Sequence, residues 1–192
     1  MGKGDDFERE CCRYLSLWWS EGEDDDLIWR NRIRRTSKTP KREQQLGDLI
    51  STHPTTIPLL ETFNIEIKTG YSKTRKGTKV KNIPWDILDI IDSTKVKGAK
   101  VFLDFWDQTL ADAEKSNRIP VLIFKRDYHV PCVAMLRKDV RGITDFSGPS
   151  LLTCTKVTLS NNIDIFRRDT FFERLSPTAV RALHKETKGE AI

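Results

Sequence analysis

Between Thr62 and Thr69 the chain reads Thr-Phe-Asn-Ile-Glu-Ile-Lys-Thr, and no other stretch restricts the fold as much as this alternation. Successive side chains of a strand point to opposite faces. Phe63, Ile65 and Ile67 therefore enter a core, while Glu66 and Lys68 emerge together on the other face. The segment predicts a strand with one apolar and one charged side, joined to a sheet that buries the apolar side.

The flanking pattern extends that sheet. Asp6 to Trp19 reads as an amphipathic helix, with Phe7, Cys11, Tyr14, Leu15 and Trp18 at three- and four-residue steps, Asp5 or Asp6 as N-cap and Gly22 as the stop. Leu27-Ile28-Trp29 predicts a short strand. Leu46 to Ser51 predicts another, carrying Asp48, and a Pro- and Thr-rich connection (His53 to Pro58) leads from it to the 62–69 strand. Asp48 is expected to pair with that strand as the first arm of a hairpin. Helices are expected over Ile83–Ile91, with Pro84 in its first turn, and over Val101–Asn117. Pro120–Lys125 and Val130–Leu136 read as paired strands, Thr155–Leu159 and Ile163–Phe166 as weaker ones, and Ser176-Pro177 caps a final helix over Thr178–His184. The order predicts an α/β or α+β domain with a mixed β-sheet flanked by helices. The chain is long enough for one domain: core 4–136, a C-terminal extension 137–186, and a polar tail 187–192.

Charge narrows the partner. Net charge is +5, but its distribution matters more. Arg30, Arg32, Arg34, Arg35, Lys38, Lys41 and Arg42 form one block without an acid, and Lys68, Lys73, Arg75, Lys76, Lys79 and Lys81 form another. Two such blocks suit a phosphate backbone; the alternative is a pair of solvated loops. No apolar run reaches the roughly 18 residues of a membrane span, so a cytoplasmic protein is expected. The cysteines (Cys11, Cys12, Cys132, Cys154) lack zinc-ligand spacing with the histidines and read as buried free thiols.

Phosphodiester hydrolysis needs an attacking water, neutralisation of charge at phosphorus, and help for the leaving oxygen. A hard divalent cation held by carboxylates supplies much of this. Asp48 and Glu66 can share such a cation, with Lys68 orienting the water and countering developing charge. A Glu-x-Lys triplet alone carries little weight, since Glu186-Thr187-Lys188 is another. The triplet at 66–68 stands out because it lies in an alternating strand, after an Asp-bearing segment and before a basic loop. An exposed ion pair on a sheet face is the plainer alternative.

Gly47-Asp48 followed by Phe63-Asn64-Ile65-Glu66-Ile67-Lys68 resembles the core motif of the PD-(D/E)xK nuclease superfamily. Gly4-Asp5-Asp6-Phe7-Glu8-Arg9 is similar to the opening of archaeal Holliday junction resolvases and of phage-encoded members of that branch. The likeness runs from about Gly4 to Arg126. It implies a restriction-endonuclease-like fold and a Mg²⁺ site, with Mn²⁺ as substitute, built by Glu8, Asp48 and Glu66, and Lys68 as the catalytic cation. Glu10 is the reserve for Glu8. Arg30 and Ser37 match backbone-contacting positions, and Arg34, Arg35, Lys38, Lys73, Arg75 and Lys76 would grip DNA. Gln108 matches an auxiliary position or is a solvated helix residue. Trp85 and Trp106 read as core, or as stacking platforms. Gly47 stands where proline is usual, and an Arg-rich stretch replaces the usual Gly-Ser turn. The expected activity is metal-dependent DNA cleavage, directed at branched DNA by a homodimer if the protein is a junction resolvase. The competing readings are a restriction-type or general phage nuclease and a non-catalytic DNA-binding accessory protein.

Overall fold

A computed structural model describes residues 3–31, 47–69, 74–75, 78–79, 99–126, 129–159 and 162–189. Arg34, Arg35, Ser37, Lys38, Lys73, Lys76, Trp85 and the expected 83–91 helix lie outside the described residues, and of Arg75 only the backbone is described. The described elements are helices α1 (Lys3–Trp19), α2 (Ile57–Thr62), α3 (Ala99–Ser116), α4 (Arg137–Ser147), α5 (Arg168–Arg174) and α6 (Pro177–Lys188), with short 3-10 turns at Pro54–Thr56 and Pro149–Leu151. The strands are β1 (Ile28–Arg30), β2 (Leu49–Ser51), β3 (Phe63–Thr69), β4 (Thr74–Arg75), β5 (Thr78–Lys79), β6 (Ile119–Lys125), β7 (Cys132–Leu136), β8 (Lys156–Thr158) and β9 (Ile163–Arg167).

Helix α1 begins at Lys3, three residues before the expected start. Asp5 and Asp6 therefore occupy its first turn, where the helix dipole favours negative charge. It ends in a Schellman-type turn: the Gly22 N–H donates to Leu17 O (2.7 Å) and the Glu21 N–H to Trp18 O (3.4 Å). Glu21, with φ +58°, takes the left-handed position one residue ahead of the expected glycine.

The main sheet has strand order β3-β6-β7-β9-β8. Strands β3 and β6 are parallel, in register from Phe63↔Ile119 to Thr69↔Lys125, with α3 in the crossover between them. All other pairings in this sheet are antiparallel. Pro120 sits at the start of β6, before its pairing with β7 begins at Leu122, so its missing N–H breaks no ladder bond to β7. The two weaker strand candidates of the C-terminal third are real members of this sheet. Asp164, fully buried on β9, accepts from Thr158 Oγ1 (2.6 Å) and lies near Arg137 and Lys156, which fastens the outer strand β8.

The hairpin expectation is overturned. Strand β2 pairs antiparallel with β1, Trp29↔Ile50 in register, and not with β3. The connection after it is no simple loop. His53 Nδ1 accepts from the Thr55 N–H at the 3-10 turn, and Pro58 lies in the first turn of α2, whose Leu59 and Leu60 enter the core. An intervening helix turns the chain, so β3 arrives beside Asp48 from a different direction.

Two apolar layers enclose the sheet. The larger gathers Phe7, Leu15 and Trp19 of α1, Ile28, Leu49, Ile65, Ile67, Val121, Ile123 and Phe166 from strands, and Leu59, Ile143, Phe171 and Val180 from α2, α4, α5 and α6. The smaller packs Phe102 and Trp106 of α3 on Leu122, Phe124, Ala134 and Ile165. Trp106 is 2% exposed, in agreement with its core reading. Among the described helices, α3 alone covers that second face. Helix α6 is capped by Ser176 Oγ, which accepts from the Ala179 N–H (3.1 Å), and runs to Lys188, past the expected end at His184 and into the stretch read as tail. Lys188 pairs with Glu61 (2.9 Å). No described helix is long and apolar enough to cross a membrane.

Candidate active site

The site forms along the outer edge of β3, the edge not paired with β6. The Asp48 N–H donates to Ile65 O (3.0 Å), and Asp48 Oδ2 accepts from the Ile67 N–H (2.7 Å). A side-chain oxygen thus stands where a neighbouring strand would offer a carbonyl. The Asn31 N–H holds Asp48 O (2.7 Å), and Asn31 Nδ2 donates to Gly47 O (3.1 Å). Gly47 has φ +87°, and a Cβ there would meet Asn64 Oδ1 at 3.1 Å and Ile65 O at 3.2 Å. Proline, locked near φ −65°, does not fit this turn, which accounts physically for glycine before the acid.

Glu66 projects from β3 toward α3, the face opposite Ile65 and Ile67, and is 3% exposed. Its Oε1 accepts from Gln108 Nε2 (2.9 Å) and pairs with Lys68 Nζ. The Lys68 ammonium also lies 5.7 Å from the Phe105 ring centre. Burial, and then the negative charge of Asp48, push the Glu66 carboxyl up to about 7, against the downward pull of Lys68. Burial raises Asp48 as well, opposed by Lys68 and the Ile67 N–H. Asp112 of α3 raises both acids.

Glu8 reaches this region from α1. Burial raises its carboxyl, followed by the Asp48 charge, while Arg30 lowers it. Arg30 is 4% exposed, with Nη1 at 3.5 Å from Glu8 Oε2 and 3.3 Å from Asp5 Oδ1. Three of the expected residues, Asp48, Glu66 and Lys68, are thereby brought together, with Glu8 electrostatically in touch with Asp48.

An acid upstream of a strand-borne Glu-x-Lys is the residue pattern for which the matching family is named. A family model described as "Phage putative PDDEXK endonuclease" matches residues 1–174. The chain belongs to that family. No curated protein and no solved structure matches it. The family match extends through β9 and α5, beyond the Arg126 limit of the sequence likeness, and the mixed five-stranded sheet between helices is the restriction-endonuclease-like fold expected of it.

The donor set tells which group the site suits. Among the described residues no three His, Cys, Asp or Glu side chains are arranged to hold a metal ion together. The pair Asp48–Glu66 nevertheless fits a Mg²⁺-type ion, which commonly takes one or two carboxylates and completes its shell with water and substrate phosphate. Both are hard oxygen donors, and each is buried at a cost that positive charge would offset. Thiolate chemistry is out of place here: burial pushes the Cys12 thiol up to about 12 and Cys11 higher still, and all four cysteines are free.

Two sequence expectations shift. Glu10 is two residues from Glu8, about 200° around the helix, and is held by Arg168 (2.9 Å) and Lys125 (3.2 Å) on another side of α1. Gln108, for which a solvated position was the alternative, donates to Glu66 of β3. Asp112 escaped notice in the sequence, although its place one turn beyond Gln108 on α3 puts it on the same helical face.

Proposed function

We propose that the protein is a divalent-metal-dependent DNA endonuclease that hydrolyses phosphodiester bonds, with Asp48, Glu66 and Glu8 as the acids of a Mg²⁺ site that Mn²⁺ can also fill. The observation that carries this reading is the pair Asp48–Glu66: two acids drawn together against their own repulsion, with Lys68 on one of them. Buried like charge of this kind is unfavourable without a cation to justify it.

A divalent cation bound there supplies positive charge against the phosphate and acidifies the attacking water. The protein's own groups do the rest. Asp48 keeps Oδ1 for the cation, because Oδ2 is engaged by the Ile67 N–H. Lys68 orients the attacking water beside Glu66 and counters charge developing at phosphorus. Gln108 fixes the rotamer of Glu66. Glu8, balanced by Arg30, adds a third acid from the α1 side. The basic residues of 32–42 and 73–81 in the sequence grip phosphates without reading bases, so binding should weaken steeply with salt; Arg30, buried against Asp5 and Glu8, is not among them, contrary to its expected backbone contact.

A cleavage assay on supercoiled plasmid, linear duplex and a four-way junction, in Mg²⁺, Mn²⁺ or EDTA, tests the reading. Glu66→Ala and Lys68→Ala should each lose at least roughly 100-fold, the scale for removing one group that stabilises transition-state charge. Activity that survives both substitutions, or that persists in EDTA, sinks it. Strong preference for the junction by a homodimer would mark a Holliday junction resolvase; equal cutting of all forms would mark a general phage nuclease.

A further inference from the structure

Among the described residues five large apolar side chains are exposed, and Trp29, 44% exposed, is the aromatic one. Its strand neighbours Ile28 and Arg30 are both buried toward α1. Trp29 therefore points to the opposite side. On β2 its register partner is Ile50, while Leu49 goes into the α1 layer with Ile28, Ile65 and Ile67. Asp48 lies in the bend just before β2, its N–H on Ile65 O, and Glu66 and Lys68 leave β3 away from the α1 layer, as Trp29 leaves β1. A diagonal neighbour in an antiparallel pair lies roughly 7–8 Å away; Trp29 stands in that relation to Asp48.

We propose that Trp29 is a stacking platform for an unpaired nucleobase beside the scissile phosphate, so that the preferred substrate is DNA with unstacked nucleotides at the cut. This inference rests on the endonuclease reading. Charge argues for nucleic acid as the occupant and sets its direction. In sequence β1 runs straight into the basic block Arg32–Arg42, whereas the exposed acids Glu21, Glu23, Asp24 and Asp26 lie on the chain just before it. A strand whose base rests on Trp29 is repelled at 21–26, and its next phosphate is drawn toward the Lys68 ammonium and the cation that the acids would hold. An indole face followed in the sequence by a run of cations suits single strands bound without sequence preference. A base within an intact duplex has no free face to offer.

The test compares wild type with Trp29→Phe, which keeps a ring, and Trp29→Leu, which keeps apolar bulk without one. Fluorescence anisotropy in EDTA, and separately in Ca²⁺, measures binding to an end-labelled duplex and to the same duplex carrying a short unpaired stretch. Wild type should prefer the second DNA. Trp29→Leu should bind it about 5- to 140-fold more weakly, the range for losing one stacked base, with duplex affinity unchanged and Trp29→Phe close to wild type. Equal binding of both DNAs by wild type, no loss in Trp29→Leu, equal loss on both DNAs, or a wild-type dimer that Trp29→Leu dissociates in sedimentation would each overturn it. Wild-type cleavage in Mg²⁺ is scored apart: its absence defeats the nuclease reading while leaving the binding comparison intact.

Discussion

Replacing Glu66 by Gln should make the metal-free protein more stable at neutral and alkaline pH, though it removes a residue of the proposed centre. In the unfolded chain this carboxyl ionises near 4.5; in the fold burial and Asp48 push it up to about 7. Between those values the folded protein holds a proton that the unfolded chain has released. The stabilisation from Glu66 is full below pH 4.5 and is lost as pH rises through 7. At about 1.36 kcal/mol for each pH unit of that gap, the loss is about 3 kcal/mol. Gln keeps the shape and still accepts from Gln108, but has no charge to lose. Urea unfolding in EDTA, wild type against Glu66→Gln at steps from pH 4.5 to 8.5, should show curves that agree at the acid end and separate by about 3 kcal/mol at the alkaline end, the variant above. Saturating Mg²⁺ or Mn²⁺ should restore wild type, by about 2.7 kcal/mol at 100 times Kd, and the variant far less. Parallel stability curves, or a variant less stable than wild type at pH 8, would refute the electrostatic reasoning.

Gly47→Ala should destabilise by on the order of 1–3 kcal/mol, because its φ of +87° and its contacts with Asn64 and Ile65 O resist a Cβ; thermal melting measures this, and cleavage should fall with it as Asp48 moves. Gln108→Ala should lower cleavage about tenfold, consistent with one hydrogen bond to a charged acceptor, with little change in melting temperature because α3 exposes much of this residue; an unchanged rate would leave Gln108 without a role. Phe166→Ala on β9 should cost about 3–5 kcal/mol in urea unfolding, since its ring is 1% exposed and packs 5.3 Å from Phe171; a near-neutral result would mean that the C-terminal third does not share the core.

Strand β3 was legible because alternation survives any tertiary context: Ile65 and Ile67 had to go one way and Glu66 the other. The pairing of Asp48 was not. The segment 57–62 is short and apolar enough to read as connection, and its helical form depends on burying Leu59 and Leu60 against α6, far along the chain. Arg30 looked like a surface cation at the head of a basic block. Its burial beneath Asp5 and Glu8 follows from β1 lying on α1, which no local pattern states. Glu10 is claimed by Arg168, 158 positions away. Strands β8 and β9 gave weak signals because one is three residues long and both draw their stability from non-local pairing.

Asp48 carries a second duty through its bond to the Ile67 amide. An unsealed strand margin invites other chains to add to it, and here the seal is the Asp48 N–H on Ile65 O together with one carboxylate oxygen on the Ile67 amide. Alanine at 48 would strip the side-chain half of the seal together with the acid and open the Ile67 amide to self-association, so loss of cutting could reflect clumping. Asparagine, whose carbonyl can still take the Ile67 proton, separates the two: a soluble, inert Asp48→Asn protein beside a precipitating Asp48→Ala one would show that one residue both guards the margin and serves the chemistry.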